Sequence, residues 1–295
     1  MSTRHFIAAL LAAASLLAGC KEKNLDPDPE PEPEQYGYGL DVATPHWLEL
    51  PATKSGDGKE WFAHDMEGGD YMSTHKGVRN WSFDYDYDSM VSSWVAYPLN
   101  YSLIGSGNRT DAWGYDPLLP LNLQQNITGS YGTGHSRGHQ IPSADRLNRP
   151  ANVTTFYSTN MTPQENDFNG GVWEKLESKV RTYAKACDTL YVVTGCVIDA
   201  TSKTIPDKMN HKVKVPSAYY KALLRYDSSK GYIACGFYLP HDPSIPADDF
   251  MKYIISVDDL EKKTGMEFFK YLPEKVGAAD AARIKSQTPD TWWNR

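Results

Sequence analysis

The stretch Ser136-Arg137-Gly138-His139-Gln140 lies in a long segment, Asn108–Pro150, that is rich in Gly, Asn, Pro and Asp and that we predict to be a loop. His139 follows a glycine and has polar neighbours, so the pattern does not indicate a core histidine. An imidazole titrates near neutral pH and can take a proton from water. Because long ordered loops often carry functional residues, His139 is the first catalytic candidate.

A second stretch, Asn160-Met161-Thr162-Pro163-Gln164, is followed by Asn169 and Glu177. Asn160 and Asn169 offer amide oxygens, which are hard, neutral ligands suited to Mg²⁺ or Ca²⁺. Asn169 directly precedes a predicted helix, where it can equally serve as the N-cap. On a regular helix Glu177 lies on the same stripe as Asn169, two turns further on. Its carboxylate can fix waters around a metal ion, or it can be an ordinary solvated surface acid.

The predicted loop also holds Arg109, Arg137 and Arg146, whose guanidinium groups suit phosphate oxygens. Arg137 can instead brace the loop through a salt bridge. A base, a hard cation with water-rich coordination and an arginine together describe phosphodiester hydrolysis. These residue types therefore indicate a phosphodiesterase.

Several ordered segments now match one family. Arg137-Gly138-His139-Gln140, then Asn160-x-Thr-Pro-Gln164, then Asn169-x-x-x-Trp-x-x-Leu-Glu177 resemble the DNA/RNA non-specific endonuclease family of ββα-metal nucleases. The resemblance runs from about Arg79 to Pro273. It implies an α+β fold, the ββα-metal nuclease fold, with a central antiparallel sheet flanked by helices.

The resemblance also implies roles around a metal ion. His139 would be the general base that activates water. Asn169 would be the one direct protein ligand of Mg²⁺, with Mn²⁺ or Ca²⁺ as substitutes, and Glu177 would orient a water of the ion's hydration shell. Asn160 would hydrogen-bond near His139 and set the geometry of the site.

Two arginines complete the implied site. Arg109 would stabilise charge that develops on the phosphate, and Arg137 would contact the substrate. The implied reaction cuts DNA and RNA and leaves a 5′-phosphate and a 3′-hydroxyl. Phosphate contacts carry no base-edge information, which fits a lack of sequence and sugar preference. Three nearby aromatic residues can stack on bases or, as the more common case, pack the loops: Trp113, Tyr115 and Tyr131.

One position departs from the family pattern, because Ser136 stands where the family usually has Asp before Arg-Gly-His. That Asp commonly braces the loop, and a serine hydroxyl can also donate and accept hydrogen bonds. Two alternatives to an active nuclease remain open. One is a nuclease fold with decayed activity, and the other is a non-catalytic binding lipoprotein of the envelope that recognises glycans through surface aromatic residues.

The chain begins with three segments of different character. Residues 1–20 have a basic start, an apolar run and the sequence Leu17-Ala18-Gly19-Cys20, which resembles the lipobox of bacterial lipoproteins. Cys20 would then be the lipidated mature N-terminus. Residues 21–35 alternate Pro with acidic residues, which predicts an extended tether. Residues 36–295 would form the endonuclease domain, held to a bacterial envelope membrane, either the outer membrane or another membrane that faces the periplasm.

The net charge of −7 differs from the basic balance that is typical of nucleic-acid-binding proteins. Residues 1–35 carry −3 of it, so the remaining chain carries only −4. Binding depends on the local field around Arg109, Arg137 and the metal ion, not on this sum. A small basic patch makes few phosphate contacts, and we therefore expect only a modest loss of affinity with salt.

Apolar and aromatic runs predict most of the strands, and helical spacing predicts one long helix. Cys196 and Cys235 lie in two of these strands and can face each other as a disulfide. The predicted strands are Trp94–Leu99, Thr189–Ile198, Val213–Leu224 and Tyr232–Leu239, and the predicted helices are Trp173–Ala186 and one or two within Val257–Tyr271.

Overall fold

The computed structural model describes residues 47–52, 59–66, 79–132 and 134–287. The predicted signal segment, Cys20 and the acidic tether lie outside these residues. Within them, no helix is long and apolar enough to cross a membrane.

The described residues form eleven strands and seven α-helices, joined by short 3₁₀ turns and one π-helical turn. The strands are β1 Lys59–Asp65, β2 Arg79–Asp86, β3 Val91–Leu99, β4 His135–His139, β5 Met161–Glu165, β6 Thr189–Val197, β7 Thr204–Pro206, β8 Lys212–Lys214, β9 Ala218–Asp227, β10 Gly231–Pro240 and β11 Ile254–Ile255. The helices are α1 Tyr101–Ile104, α2 Ala151–Thr154, α3 Asn166–Phe168, α4 Glu174–Ala184, α5 Val257–Thr264, α6 Leu272–Val276 and α7 Ala278–Lys285.

Seven of the strands form one sheet in the order β1-β2-β3-β6-β9-β10-β11, and every neighbouring pair is antiparallel. Two smaller pairs, β4 with β5 and β7 with β8, lie outside it. The central strands are rich in β-branched and aromatic residues, which favour a pleated surface buried on both faces. The predicted α+β fold with a central antiparallel sheet and flanking helices is confirmed.

Alternate residues of each strand point to opposite faces of the sheet, so the sheet separates two cores. On the face that packs α4, which we call the α4 face, Val192 and Leu223 join Leu176 of the helix. On the other, the α5 face, Val193 and Leu224 join Leu260, with further apolar residues from α6 and α7. Each fully buried aliphatic side chain contributes about 1.5–3 kcal/mol of transfer free energy.

The predicted strands Trp94–Leu99, Thr189–Ile198 and Tyr232–Leu239 correspond to β3, β6 and β10. The single strand predicted over Val213–Leu224 is wrong, because Pro216 lies between the end of β8 and the start of β9. A proline has no N–H to donate to a ladder, and the pairing breaks there. Only one helix lies within Val257–Tyr271, since Gly265 ends α5 in a left-handed conformation with φ of 68°.

The predicted disulfide is also wrong. Cys196 on β6 and Cys235 on β10 are both free thiols, as is Cys187. Strand β9 lies between β6 and β10, where Cys196 pairs with Tyr219 and Cys235 pairs with Leu223. The two thiols therefore stand two strands apart, beyond the reach of a disulfide bond.

Candidate active site

One ββα unit carries His139, Asn160, Asn169 and Glu177. Strand β4 runs antiparallel to β5, and His139 at the end of β4 pairs with Met161 at the start of β5. The chain then continues through α3 and a π-helical turn into α4. The prediction of a continuous loop over Asn108–Pro150 is wrong at this point, because the polar and glycine residues around His139 pair with β5. A strand fixes His139 more firmly than a loop would.

Asn160 lies just before β5 and clamps the chain that follows His139. Its Oδ1 accepts a hydrogen bond from the Ile141 N–H at 2.9 Å, and its Nδ2 donates to the Ile141 carbonyl at 2.9 Å and to the Thr155 carbonyl at 2.8 Å. Its own carbonyl accepts from Gln140 N at 3.0 Å. Asn160 is fully buried, so these bonds are shielded from water. The amide therefore fixes the backbone on the far side of His139.

His139 is half-buried in an aromatic corner. Its ring lies edge-on to Phe156 at 5.1 Å and to Trp113 at 5.5 Å between ring centroids. Its Nε2 atom is buried and has no hydrogen-bond partner among the described residues. Burial, aided by the positive charges of Arg109 and Arg137, lowers the pKa of His139 to about 3. The imidazole is therefore neutral at physiological pH.

Arg109 and Arg137 lie on either side of this corner. Arg109 is about half exposed, donates to Asp111 Oδ1 at 2.7 Å and to Ser143 Oγ at 3.0 Å, and stands 4.7 Å from the Phe156 ring centroid. Arg137 lies over the Trp113 ring at 3.4 Å and donates to a backbone carbonyl, that of Ile127, at 2.8 Å. Burial lowers the pKa of Arg137 from its ordinary value. Both guanidinium groups keep donors free for a phosphate.

Asn169 begins the π-helical turn Asn169–Trp173 that joins α3 to α4. The predicted N-cap role is wrong, since no side chain caps either helix here and the side chain of Asn169 makes no hydrogen bond to a described residue. Within the turn Gly171 departs from helical geometry, with φ of −110° and ψ of −109°. Asn169 and Glu177 therefore do not share one regular helical stripe. Such π-turns often occur at functional sites.

Glu177 is half-buried, so the reading of it as a solvated surface acid is wrong. Burial raises the pKa of Glu177, and the positive charges of Lys221 and Arg181 oppose this rise. Lys221 is buried in the middle of the sheet, where burial lowers its pKa and Glu177 opposes the shift. Its Nζ donates to Thr194 Oγ1 at 2.6 Å and lies 4.6 Å from the Trp173 ring centroid. Each charge therefore opposes the pKa shift of the other, but burial is the larger effect and the pKa of Glu177 stays raised, at about 7.

Sequence reasoning did not single out Lys221, nor the chain of polar contacts that adjoins it. Asp145 accepts from Tyr97 Oη at 2.9 Å through one oxygen and from Arg181 at 2.9 Å through the other. Asp145 is buried, and its charge acts on Glu177 and Lys221. A lysine in an apolar strand is the one sequence signal that indicated a buried charged group here.

Sequence reasoning did not single out His241 either. Its Nδ1 bonds to the Pro216 carbonyl at 2.9 Å, which leaves Nε2 to accept from the Glu165 N–H at 2.8 Å. The ring packs edge-on against Phe168 and Tyr219, each at 5.0 Å between centroids. His241 therefore anchors the end of β5, from which α3 leads to Asn169, and nothing in its local sequence indicated this.

Three other predicted residues have clear positions. Ser136 donates to Asn166 Oδ1 at 2.6 Å, so it braces β4 against α3. Arg146 is fully buried and bonds to Asn80 and to the Pro98 carbonyl, so the prediction that it suits a phosphate is wrong. Tyr131 is buried among loop residues, as the packing alternative predicts.

A model of the DNA/RNA non-specific endonuclease family matches residues 66–275. The chain belongs to this family. It is 30% identical over 218 residues to a nuclease of Nostoc sp., an alignment that covers 70% of this chain and 77% of that protein. It is 30% identical over 219 residues to the mitochondrial nuclease EXOG of Danio rerio, with 70% and 64% covered. As a non-specific endonuclease, it is a nucleic-acid phosphodiester hydrolase.

A further bacterial relative and one solved structure are also similar to this chain. A nuclease of Serratia marcescens is 29% identical over 197 residues, which is 64% of this chain and 72% of that protein. A solved structure, the complex of EndoG with its inhibitor EndoGI, superposes with a TM-score of 0.53 at 22% identity, over 64% of this chain and 82% of that chain. The structural likeness shows that this endonuclease and EndoG share a fold.

Non-specific endonucleases of this type depend on a metal ion, so the donor atoms must fit one. Among the described residues, no group of three or more His, Cys, Asp or Glu side chains is placed to hold a metal. The half-buried amide of Asn169 and the carboxylate of Glu177 are two hard oxygen donors of the ββα unit. A neutral amide with few protein partners suits a cation that keeps most of its water, so this donor set fits Mg²⁺.

Proposed function

We propose that this endonuclease is active and cuts both DNA and RNA with Mg²⁺, and that His139 is the general base. The observation that carries the proposal is the position of His139, whose ring lies between Arg109 and Arg137 and whose Nε2 has no hydrogen-bond partner among the described residues. A neutral imidazole has one ring nitrogen with a free lone pair, which a general base needs.

Arg109 and Arg137 supply positive charge on both sides of the proposed base. They would hold the scissile phosphate and stabilise the charge that develops on it. A bound phosphate brings negative charge next to His139, which raises its pKa from the low value of the free enzyme. Substrate binding thereby makes His139 a stronger base at the step where it takes the proton of the attacking water.

Asn169 would hold the Mg²⁺ ion, with Glu177 orienting its hydration shell. When bound, the ion supplies a Lewis acid that neutralises charge on the phosphate and the leaving oxygen. Lys221 and Arg181 favour the ionised form of Glu177 against the effect of burial, and in that form its carboxylate accepts hydrogen bonds from water. Asn160 holds the chain that follows His139, and Ser136 holds β4 against α3, so both fix the position of the proposed base. The products would carry a 5′-phosphate.

Plasmid DNA and single-stranded RNA, with and without Mg²⁺, test this proposal. Both should be cut with Mg²⁺ and neither with EDTA, and the DNA fragments should ligate without added kinase because they carry 5′-phosphates. Asn169→Ala should weaken the apparent affinity for Mg²⁺ at least about tenfold. The control is Asp167→Ala, an exposed residue of α3, which should behave like the parent. Unchanged Mg²⁺ dependence in Asn169→Ala contradicts the assigned ligand.

We also propose that Cys20 anchors the enzyme to a bacterial envelope membrane, with residues 21–35 as the tether. The support is the sequence Leu17-Ala18-Gly19-Cys20 after an apolar run. Cells that produce the parent should incorporate labelled palmitate into the protein, and Cys20→Ser should lose both the label and the membrane fraction. Equal membrane association of the two proteins would rule out the anchor.

A further inference from the structure

The small hairpin of β7 and β8 carries a group of lysines outside the site described above. We call residues 203–214 the lysine hairpin; its lysines are Lys203, Lys208, Lys212 and Lys214. Ile205 pairs with Val213 across the hairpin, and both pack against the core. Because alternate residues face opposite ways, the strand lysines Lys212 and Lys214 are directed away from that core. Lys208 lies in the connection between the two strands and is exposed.

The positive charge of the hairpin is not neutralised. None of its four lysines forms an ion pair with another described residue. Lysines elsewhere on the surface do so, for example Lys252 with Asp249 and Lys262 with Asp259. The hairpin thus presents four ammonium groups that have no acidic partner among the described residues.

Asp207 is the one acid of the hairpin, and its carboxylate is already occupied. Oδ1 accepts from the backbone N–H groups of Met209 and His211, and Oδ2 contacts His211 Nδ1 and accepts from Asn126 N. Asp207 is buried. Four donors saturate a carboxylate, so Asp207 holds the hairpin in place and has no lone pair left for an ion pair with its lysines.

The hairpin is continuous with the active site through the loop Asn126–Gly129. Asp207 holds one end of this loop, and the Cε atom of Lys208 lies 2.9 Å from where a Cβ on Gly129 would stand. From the other side, Arg137 donates to the Ile127 carbonyl of the same loop. Lys208 and Arg137 are therefore separated by one loop. At the end of the hairpin away from Lys208, Lys214 N bonds to Ser89 O. The turn of Ser89 also contains acidic residues, so the positive potential is weaker at Lys214.

We propose that the lysine hairpin, chiefly Lys208 and Lys212, binds the phosphate backbone of a nucleic-acid substrate beyond the scissile bond. This inference rests on the proposed function. A nucleic-acid strand carries one charge per about 3.4 Å of helix axis, so a substrate held at Arg137 has further phosphates within reach of the hairpin. Backbone contacts add affinity without sequence preference, which suits a non-specific enzyme. The hairpin thereby selects long substrates over short ones.

The test compares Lys208→Gln/Lys212→Gln with the parent on a long duplex and on a dinucleotide. The matched control is Lys252→Gln/Lys262→Gln, which removes two ion-paired lysines from another surface. On the duplex, the hairpin variant should raise KM roughly three- to tenfold at 0.1 M salt with kcat unchanged, and the slope of log KM against log salt should fall by about 2. On the dinucleotide, the parent and the variant should be the same.

Each other outcome counts against the inference. An unchanged KM and salt slope on the duplex shows that the lysines do not contact substrate. Equal losses on both substrates show that the hairpin only supports the site. Loss of binding to phosphatidylglycerol vesicles, with duplex cleavage unchanged, assigns the lysines to a lipid surface. A parent that cuts neither substrate contradicts the proposed function instead, and anisotropy of a labelled duplex with the parent and variant then tests the hairpin on its own.

Discussion

The two faces of the central sheet are filled in different ways. On the α5 face, Trp94, Val193 and Leu224 meet apolar residues of α5 to α7. On the α4 face, the apolar core adjoins buried polar groups, among them Lys221 and Asp145. Burying charged groups costs free energy unless they are well paired, so an apolar core is the cheaper way to build stability. The comparison indicates that both apolar cores hold the sheet together, while the α4 face also carries the candidate reacting groups.

The largest expected effect tests whether chemistry is confined to the α4 side. His139→Ala should lower kcat about 10²- to 10⁴-fold, because a general base contributes that much. The unfolding midpoint in urea should change little, since the half-buried ring makes only edge contacts. Steady-state cleavage of plasmid DNA and circular dichroism measure the two quantities. A variant that cuts as fast as the parent would remove His139 from the mechanism.

A matched pair of leucines separates stability from activity. Leu176 on α4 and Leu260 on α5 are both fully buried helical residues, one on each face. Leu→Ala at either position should lower the free energy of unfolding by about 2–5 kcal/mol. Only Leu176→Ala should also lower kcat, because α4 carries Glu177 and follows the turn of Asn169. Similar losses of kcat below the melting temperature for both variants would contradict the assignment of activity to the α4 face alone.

The electrostatics of the α4 side predict a smaller effect on His139. Its pKa should be far below 6.5 by NMR, and Arg109→Gln should raise that pKa by roughly half a unit to one unit, since a nearby positive charge is removed. Lys263→Gln, an exposed change on α5, is the control. No rise in the Arg109 variant would show that burial alone sets the pKa.

The same shift has a consequence for acid stability. The folded pKa of His139 lies below the unfolded value, so below pH 6.5 the unfolded chain binds the proton first. His139 therefore does not lower the free energy of unfolding above pH 6.5. It lowers this free energy increasingly as the pH falls from 6.5 towards 3. His139→Gln should lose less unfolding free energy than the parent between pH 7 and pH 4, as measured by urea titration. Parallel losses would contradict the buried, neutral histidine.

The smallest expected effect concerns Ser136, which departs from the family pattern. Ser136 already braces α3 through Asn166, and a carboxylate at this position can accept a bond from the same amide after a flip. Ser136→Asp should therefore change kcat less than about tenfold. A much larger gain would support the alternative of a decayed nuclease.

The sequence predicted the long elements and the local motifs better than the contacts between distant segments. Strands β3, β6 and β10 follow from their apolar runs, and His139, Asn160 and Asn169 follow from their ordered motifs. The π-helical turn was not predicted, because the pair Gly170-Gly171 is equally compatible with a helix break, a 3₁₀ turn and a π-helical turn. Lys221 and His241 were missed because each acts on the site from a strand or loop far along the chain, where only the folded sheet brings them near.

The clamp made by Asn160 changes how strand β4 ends. After the His139 pair, Gln140 N bonds to Asn160 O and Ile141 N bonds to the side chain of the same residue, so the backbone stays hydrogen-bonded for two residues beyond the end of the ladder. Strand ends usually fray, and their amides exchange quickly with solvent. Here the residues on both sides of His139 are hydrogen-bonded, and the Ile141 amide should exchange as slowly as those of the central sheet. The proposed base would then be held still during turnover, at a place where a strand would otherwise open.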